Sequence, residues 1–174
     1  CPARKARGDI VLAIDHSDSM RFLDRLTNAV AAAGAFLDAM DPAEVRVGLV
    51  AFGSDVTATL APTDDYAAVR RALAAIEPGG QTAIARALQV SGELLAARRP
   101  DSLPALVLLT DGEESSGDVG VMLAAAQRLK DDGVTIATVC AGTCDRELLQ
   151  VASRQDLAYN VADSAQLVGL YAEL

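Results

Sequence analysis

Tryptophan is absent, and phenylalanine and tyrosine contribute three residues each to a chain of 174, so the sequence offers no aromatic platform on which bases could stack. Positive charge is scarce as well: 15 Lys and Arg stand against 24 Asp and Glu, a formal net charge of −9, and no basic run interrupts that balance. Nucleic acid and other polyanions are therefore excluded from the expected partners. The longest apolar stretch, Ala29 to Leu37, falls far short of the ~20 residues that cross a bilayer, so no membrane span is expected. Histidine occurs once and cysteine three times. Cys140 and Cys144 in VCAGTC have neither a histidine nor a second cysteine pair to complete a zinc site, and they read as buried or partly buried free thiols, a disulfide between them requiring a favourable loop and an oxidising compartment. Without a disulfide framework the expected compartment leans slightly to the cytoplasm.

What is present describes one α/β domain. Apolar residues make up 51% of the chain and charged ones 22%, a composition able to bury a core and unlike that of a disordered segment. Its richness in Ala and Arg is of a bacterial kind. The first residue is Cys1 rather than Met; the expectation is a piece excised from a longer protein, with Cys1 at a domain boundary rather than carrying a lipid. The hydrophobic pattern predicts a strand over 9–15 and a long helix over 20–40, with Phe22, Leu26, Ala29, Ala33, Phe36 and Met40 on one stripe. A second strand over 46–52 and a third over 56–60, antiparallel to it, follow. Asp64 or Asp65 caps a helix carrying Val69, Leu73 and Ile76, and another helix starts at Thr82, lined by Ile84, Leu88, Ser91 and Leu95. Strands over 104–110, 134–140 and 157–161 then alternate with helices over 118–131, 145–153 and 163–174. Parallel strands need crossover connections, so this order predicts a doubly wound, mostly parallel six-stranded sheet with one antiparallel edge strand and helices on both faces. Ligands of such sheets bind beyond the carboxyl ends of the strands, where the strand order reverses.

The chemistry concentrates at those ends. In VLAIDHSDSM an apolar run gives way to Asp15, Ser17 and Ser19 at alternate positions, and alternate side chains of an extended segment share one side. One carboxylate and two hydroxyls suit a hard cation such as Mg2+, Mn2+ or Ca2+ rather than zinc or copper. Taken alone, the triplet is equally well read as an ordinary strand-to-helix turn. The intervening His16 points away from Asp15 and Ser17 on this geometry, which gives it a structural or solvated role. These polar groups are expected to lie outside the apolar core.

Two further segments, Pro78-Gly79-Gly80-Gln81-Thr82 and Leu108-Leu109-Thr110-Asp111-Gly112, raise the specificity of the pattern. Together with D-x-S-x-S they resemble the metal-ion-dependent adhesion site of von Willebrand factor A domains, and the resemblance covers nearly the whole chain. It implies that Asp15, Ser17, Ser19, Thr82 and Asp111 hold a divalent cation, Mg2+ or else Mn2+ or Ca2+, the aspartates acting largely through bound water. It also implies a protein-binding module in which an Asp or Glu carboxylate of a protein partner completes the coordination. Related domains serve adhesion, secretion and AAA+ ATPase systems, and the resemblance does not separate these. Asp18 departs from the Gly that many members carry between the two serines; Asp tolerates positive φ better than most residues. Arg21, Asp55, Glu113, Glu114, Ser115 and Ser116 are candidate rim residues.

An enzyme is not expected, although two readings compete with the binding module. Two aspartates and a hydroxyl around Mg2+ could serve phosphoryl transfer, but Ser17 stands where a haloacid-dehalogenase phosphatase would have its second Asp. No Walker-type lysine loop and no G-x-G-x-x-G follows the first strand either. The remaining reading is a scaffold whose site no longer functions, which the complete set of five residues opposes.

Overall fold

The computed structural model describes residues 7–112, 114–115, 118–141 and 146–160. The strands are β1 Arg7–Asp15, β2 Val45–Phe52, β3 Val56–Thr63, β4 Ser102–Thr110, β5 Thr135–Cys140 and β6 Ala158–Asn160. The helices are α1 Arg25–Ala39, α2 Tyr66–Ala74, α3 Ile84–Ala96, α4 Val119–Asp131 and α5 Arg146–Val151. The strands form one sheet in the order β3-β2-β1-β4-β5-β6. Only the β2–β3 pair is antiparallel. The predicted α/β architecture is therefore the observed one.

The alternation of β1 explains why the sheet is covered on both sides. Ile10, Leu12 and Ile14 join a core with Leu26, Ala33 and Phe36 of α1 and with Val69 and Leu73 of α2. Val11 and Ala13 join a second core with Leu88 of α3, Met122 of α4 and Leu148 of α5. With neighbours on both faces and both edges, Val11 to Ile14 are at most 2% exposed, which is why they read as a continuous apolar run. The expected cap is in place, Asp65 accepting the Ala68 amide at 3.0 Å, and Asp118 likewise accepts the Gly120 amide at 2.6 Å.

Four expectations need correction or lie outside the described residues. The helix predicted over 20–40 begins only at Arg25, because residues 18–24 form 3-10 turns broken by Leu23 at φ 55° and Asp24 at φ 54°. Phe22 thereby leaves the predicted apolar stripe and is 67% exposed. Leu23, a bulky residue in the left-handed region and 82% exposed, carries a conformational cost of about 1–2 kcal/mol with no burial to offset it. Leu23→Gly should therefore raise stability by about 0.5 kcal/mol after the added chain entropy is subtracted, measurable as a shift of the urea midpoint. Cys140, expected as a free thiol, is 3% exposed and disulfide-bonded; the other two cysteines lie outside the described residues. Disulfides persist in oxidising compartments, so the lean to the cytoplasm loses its basis. The helix predicted over 163–174 also lies outside the described residues.

At the amino-terminal end of β1 the sheet is pinned by a buried charge. Asp9 is 0% exposed and receives Arg46 Nε at 2.8 Å, Arg46 Nη2 at 2.7 Å, the Arg99 amide at 2.7 Å, Arg99 Nε at 3.1 Å and Ser102 Oγ at 2.9 Å. Arg99 Nη2 continues to the carbonyls of Gly8 and Glu44 at 2.8 and 2.9 Å. One carboxylate thus ties β1, β2 and the loop before β4 together. Burial alone would push the Asp9 carboxyl up, but the donors outweigh it and hold its pKa at about 2.

Candidate metal centre

The opposite, carboxyl end of the sheet carries the cluster. Asp15, the last residue of β1, is 0% exposed; its Oδ1 accepts the Ser17 amide at 2.7 Å and its Oδ2 accepts Thr110 Oγ1 at 2.6 Å. The Ser17 and Ser19 hydroxyls lie 3.1 Å apart, and Ser19 Oγ donates to Asp111 Oδ1 at 2.7 Å. The other Asp111 oxygen accepts Arg25 Nη1 at 2.5 Å. Asp15 ends β1 and Asp111 follows the adjacent strand β4, and from these strands the chain runs on to β2 in one direction and to β5 in the other. That is the reversal point where ligands of this architecture bind.

Burial corrects one expectation: Asp15, Ser17, Thr82 and Asp111 are 0, 2, 5 and 6% exposed, so the site is set into the molecule rather than resting on it. Burial pushes the Asp15 carboxyl above its ordinary value of 3.8, against the bonds from Thr110 and Ser17, and the charge of Asp111 pushes the same way. A carboxyl held up in this manner contributes stability below its unfolded pKa and loses it as the pH rises. Among the described residues no three His, Cys, Asp or Glu side chains converge, so the donors are two carboxylates and neutral hydroxyls. That set fits a hard divalent cation and not zinc.

Thr82 reaches the neighbourhood by its backbone. Gly79 N donates to the His16 carbonyl at 2.6 Å and Asp18 N to the Gly80 carbonyl at 2.9 Å, which ties residues 78–82 to the first loop. On the other side Thr82 N donates to Ser115 Oγ at 2.9 Å, and Ser115 N to the Thr82 carbonyl at 3.0 Å. Among the described residues the Thr82 side chain makes no hydrogen bond to the other four. The three loops are nevertheless stitched into one unit. Gly53 makes this fit possible: a Cβ there would stand 2.5 Å from the Gly79 carbonyl oxygen, whereas a Cβ on Gly112 meets nothing within 4 Å. Gly53→Ala should cost about 1–3 kcal/mol and weaken cation binding by displacing the loop, and Gly112→Ala should do neither; thermal melts and Mg2+ titrations of the two variants check this.

The remaining candidates sort by contact. His16 is 6% exposed with Nε2 2.8 Å from Thr57 Oγ1, so its role is structural and not solvated. Asp18 is outside the positive-φ region, and its side chain, 68% exposed, turns to Arg21 at 3.1 Å rather than to the cluster. Arg21 also donates to the Pro78 carbonyl at 2.6 Å. Glu114 and Ser115 brace backbone amides, Glu114 Oε2 accepting from Ala85 at 2.8 Å. Asp55 is 74% exposed and pairs with Arg86 at 3.5 Å. Among the described residues Arg21 and Asp55 make no bond to the cluster, while Glu113 and Ser116 lie outside those residues. Sequence reasoning missed two contacts. Thr110 orients Asp15 from within the T-D-G segment itself, and Arg25 is signalled only by following Arg21 at helical spacing.

Comparison with known proteins places this arrangement. Residues 10–114 match a family model described as von Willebrand factor type A domain. A UPF0353 protein of Mycobacterium avium is 34% identical over 155 residues, covering 79% of this chain and 45% of that protein. The chain spans about half the length of such curated relatives. Among solved structures, the vWF domain of the type V pili tip protein Mfa5 from Porphyromonas gingivalis superposes with a TM-score of 0.85 at 15% identity, covering 98% of this chain and 94% of that one. The pilus adhesin SpaC from Lactobacillus rhamnosus GG gives 0.80 at 18% identity, covering 97% of this chain and 29% of that one. At such identities the structures speak for the fold.

Proposed function

Because the chain belongs to the von Willebrand factor type A domain family, we propose that it is a protein-binding module whose site holds a divalent cation, Mg2+ in the first instance, and captures an Asp or Glu carboxylate of a protein partner. The observation that carries this reading is the oxygen cluster of Asp15, Ser17, Ser19 and Asp111 at the reversal point of the sheet. Asp15, Ser17, Ser19, Thr82 and Asp111 are the residues that would hold the ion. The ion would supply positive charge only partly offset by its neighbours, which is what attracts an anion.

The surroundings of the cluster suit a docking face better than a catalytic one. Phe22 and Leu23, 67 and 82% exposed, follow Ser19 closely in the chain and offer apolar surface to a partner. Asp15 has both oxygens engaged, and the only histidine is bonded to Thr57, so among the described residues no base is poised beside a nucleophile. The domain is accordingly read as a non-enzyme. Immobilised protein should retain a partner from its native host's extract with Mg2+ and release it with chelator, while Asp15→Asn retains none. Retention unaffected by chelator would favour a metal-independent scaffold. Hydrolysis of a chromogenic phosphate ester by wild type but not by Asp15→Asn would favour the phosphoryl-transfer reading.

A further inference from the structure

We propose that Arg25 is a built-in competitor of the cation: its guanidinium neutralises Asp111 in the metal-free domain and must leave when the ion binds. The inference rests on the cation site proposed above and deepens it. The Asp111 side chain is 0% exposed, and both its oxygens are engaged, Oδ1 by Ser19 Oγ at 2.7 Å and Oδ2 by Arg25 Nη1 at 2.5 Å. A buried carboxylate without a counter-charge is costly, and Arg25 is the cation that meets this need among the described residues. An ion held by the same cluster would meet the need a second time and would face the guanidinium across one carboxylate. Arginine cannot shed its charge by losing a proton. The repulsion is therefore relieved only by movement.

The surroundings of Arg25 permit that movement. Its side chain is 26% exposed, so a path to solvent is open. It is the first residue of α1 and follows the left-handed pair Leu23 and Asp24, which replaces the helical turn predicted there. That kink directs the chain into α1 where Arg25 reaches Asp111. Ion and guanidinium thus compete for one carboxylate, and their binding free energies are linked with opposite sign.

The alternative role for such a residue is support: a group bonded to a ligand's outer oxygen commonly strengthens metal binding, and its removal costs about 10–100-fold in affinity. The two roles predict changes of opposite direction. Chelator-stripped wild type and Arg25→Gln are titrated calorimetrically with MgCl2 alone. Competition predicts that Arg25→Gln binds Mg2+ at least about fivefold more tightly, melts below wild type without metal, and gains more from saturating Mg2+. Equal or weaker affinity in the variant overturns the inference and leaves the cation site standing. Absence of binding in both proteins overturns the inference and the site together. A second measurement needs no variant: the Arg25 Nη1–Hη protons of wild type, which bond Asp111, should be slow to exchange with water in stripped protein and fast after Mg2+ is added. Protection that persists in saturating Mg2+ contradicts the competition.

Discussion

Replacing Asp15 with Asn is expected to abolish the response of the domain to Mg2+. The wild type, brought to about a hundred times its dissociation constant, should gain about 2.7 kcal/mol, which for a domain of this size is roughly 5–10 °C in melting temperature. Asp15→Asn should gain nothing at the same concentration, because removal of one of two carboxylates lowers the charge that holds a hard cation. Asn is the informative choice because of burial: Ala would strip the acceptor from both the Ser17 amide and Thr110 Oγ1 and add a folding defect to a binding defect. The metal-free variant should melt no lower than wild type, since burial and the Asp111 charge both disfavour ionised Asp15. Differential scanning fluorimetry of the two proteins with chelator and with Mg2+ measures all four quantities. An equal Mg2+ shift in the variant would remove Asp15 from the ligand set.

Asp9→Ala should have the largest effect on folding. The substitution leaves Arg46 and Arg99 facing a buried space without their carboxylate, a loss of about 3–5 kcal/mol and a fall in melting temperature of roughly 10 °C. Its pH dependence has a defined sign. The folded pKa of Asp9 is lowered from 3.8 to about 2, so its contribution, about 2 kcal/mol by linkage, is present above the unfolded value and is lost as the pH falls through the folded one. Wild type should therefore lose stability between about pH 4 and pH 2 more steeply than Asp9→Asn, as urea unfolding at several pH values would show. Mg2+ affinity in Asp9→Asn should be unchanged, because Asp9 lies near the amino-terminal end of the strand whose carboxyl end is Asp15. A variant that folds with wild-type stability would show that the ion pair only matches what it displaces.

The sheet was legible because its strands are continuous apolar runs set between helical repeats, and a strand buried on both faces leaves that signature wherever it occurs. The cluster was legible because two of its three polar segments fall at strand carboxyl ends, those of β1 and β4. Residues 20–24 misled for a physical reason. Phe22 and Leu26 satisfy a helical period, yet the chain turns left-handed at Leu23 and Asp24, and a local pattern carries no record of the tertiary contact, Arg25 on Asp111, that accompanies the turn. Burial of Asp15 was missed in the same way: polarity in the sequence does not reveal that Thr110 and the Ser17 amide satisfy both of its oxygens. Asp9 resembled an ordinary strand residue, since its partners Arg46 and Arg99 are 37 and 90 positions away. Arg99 in particular lies in a loop with no periodicity to place it.

The central claim is a divalent-cation site at the junction of β1 and β4, and calorimetric titration of chelator-stripped wild type with MgCl2 tests it most directly. The account predicts saturable binding with a stoichiometry of about one ion per chain, absent from Asp15→Asn. No heat of binding and no thermal shift up to millimolar Mg2+, with the same result for Mn2+ and Ca2+, would contradict it.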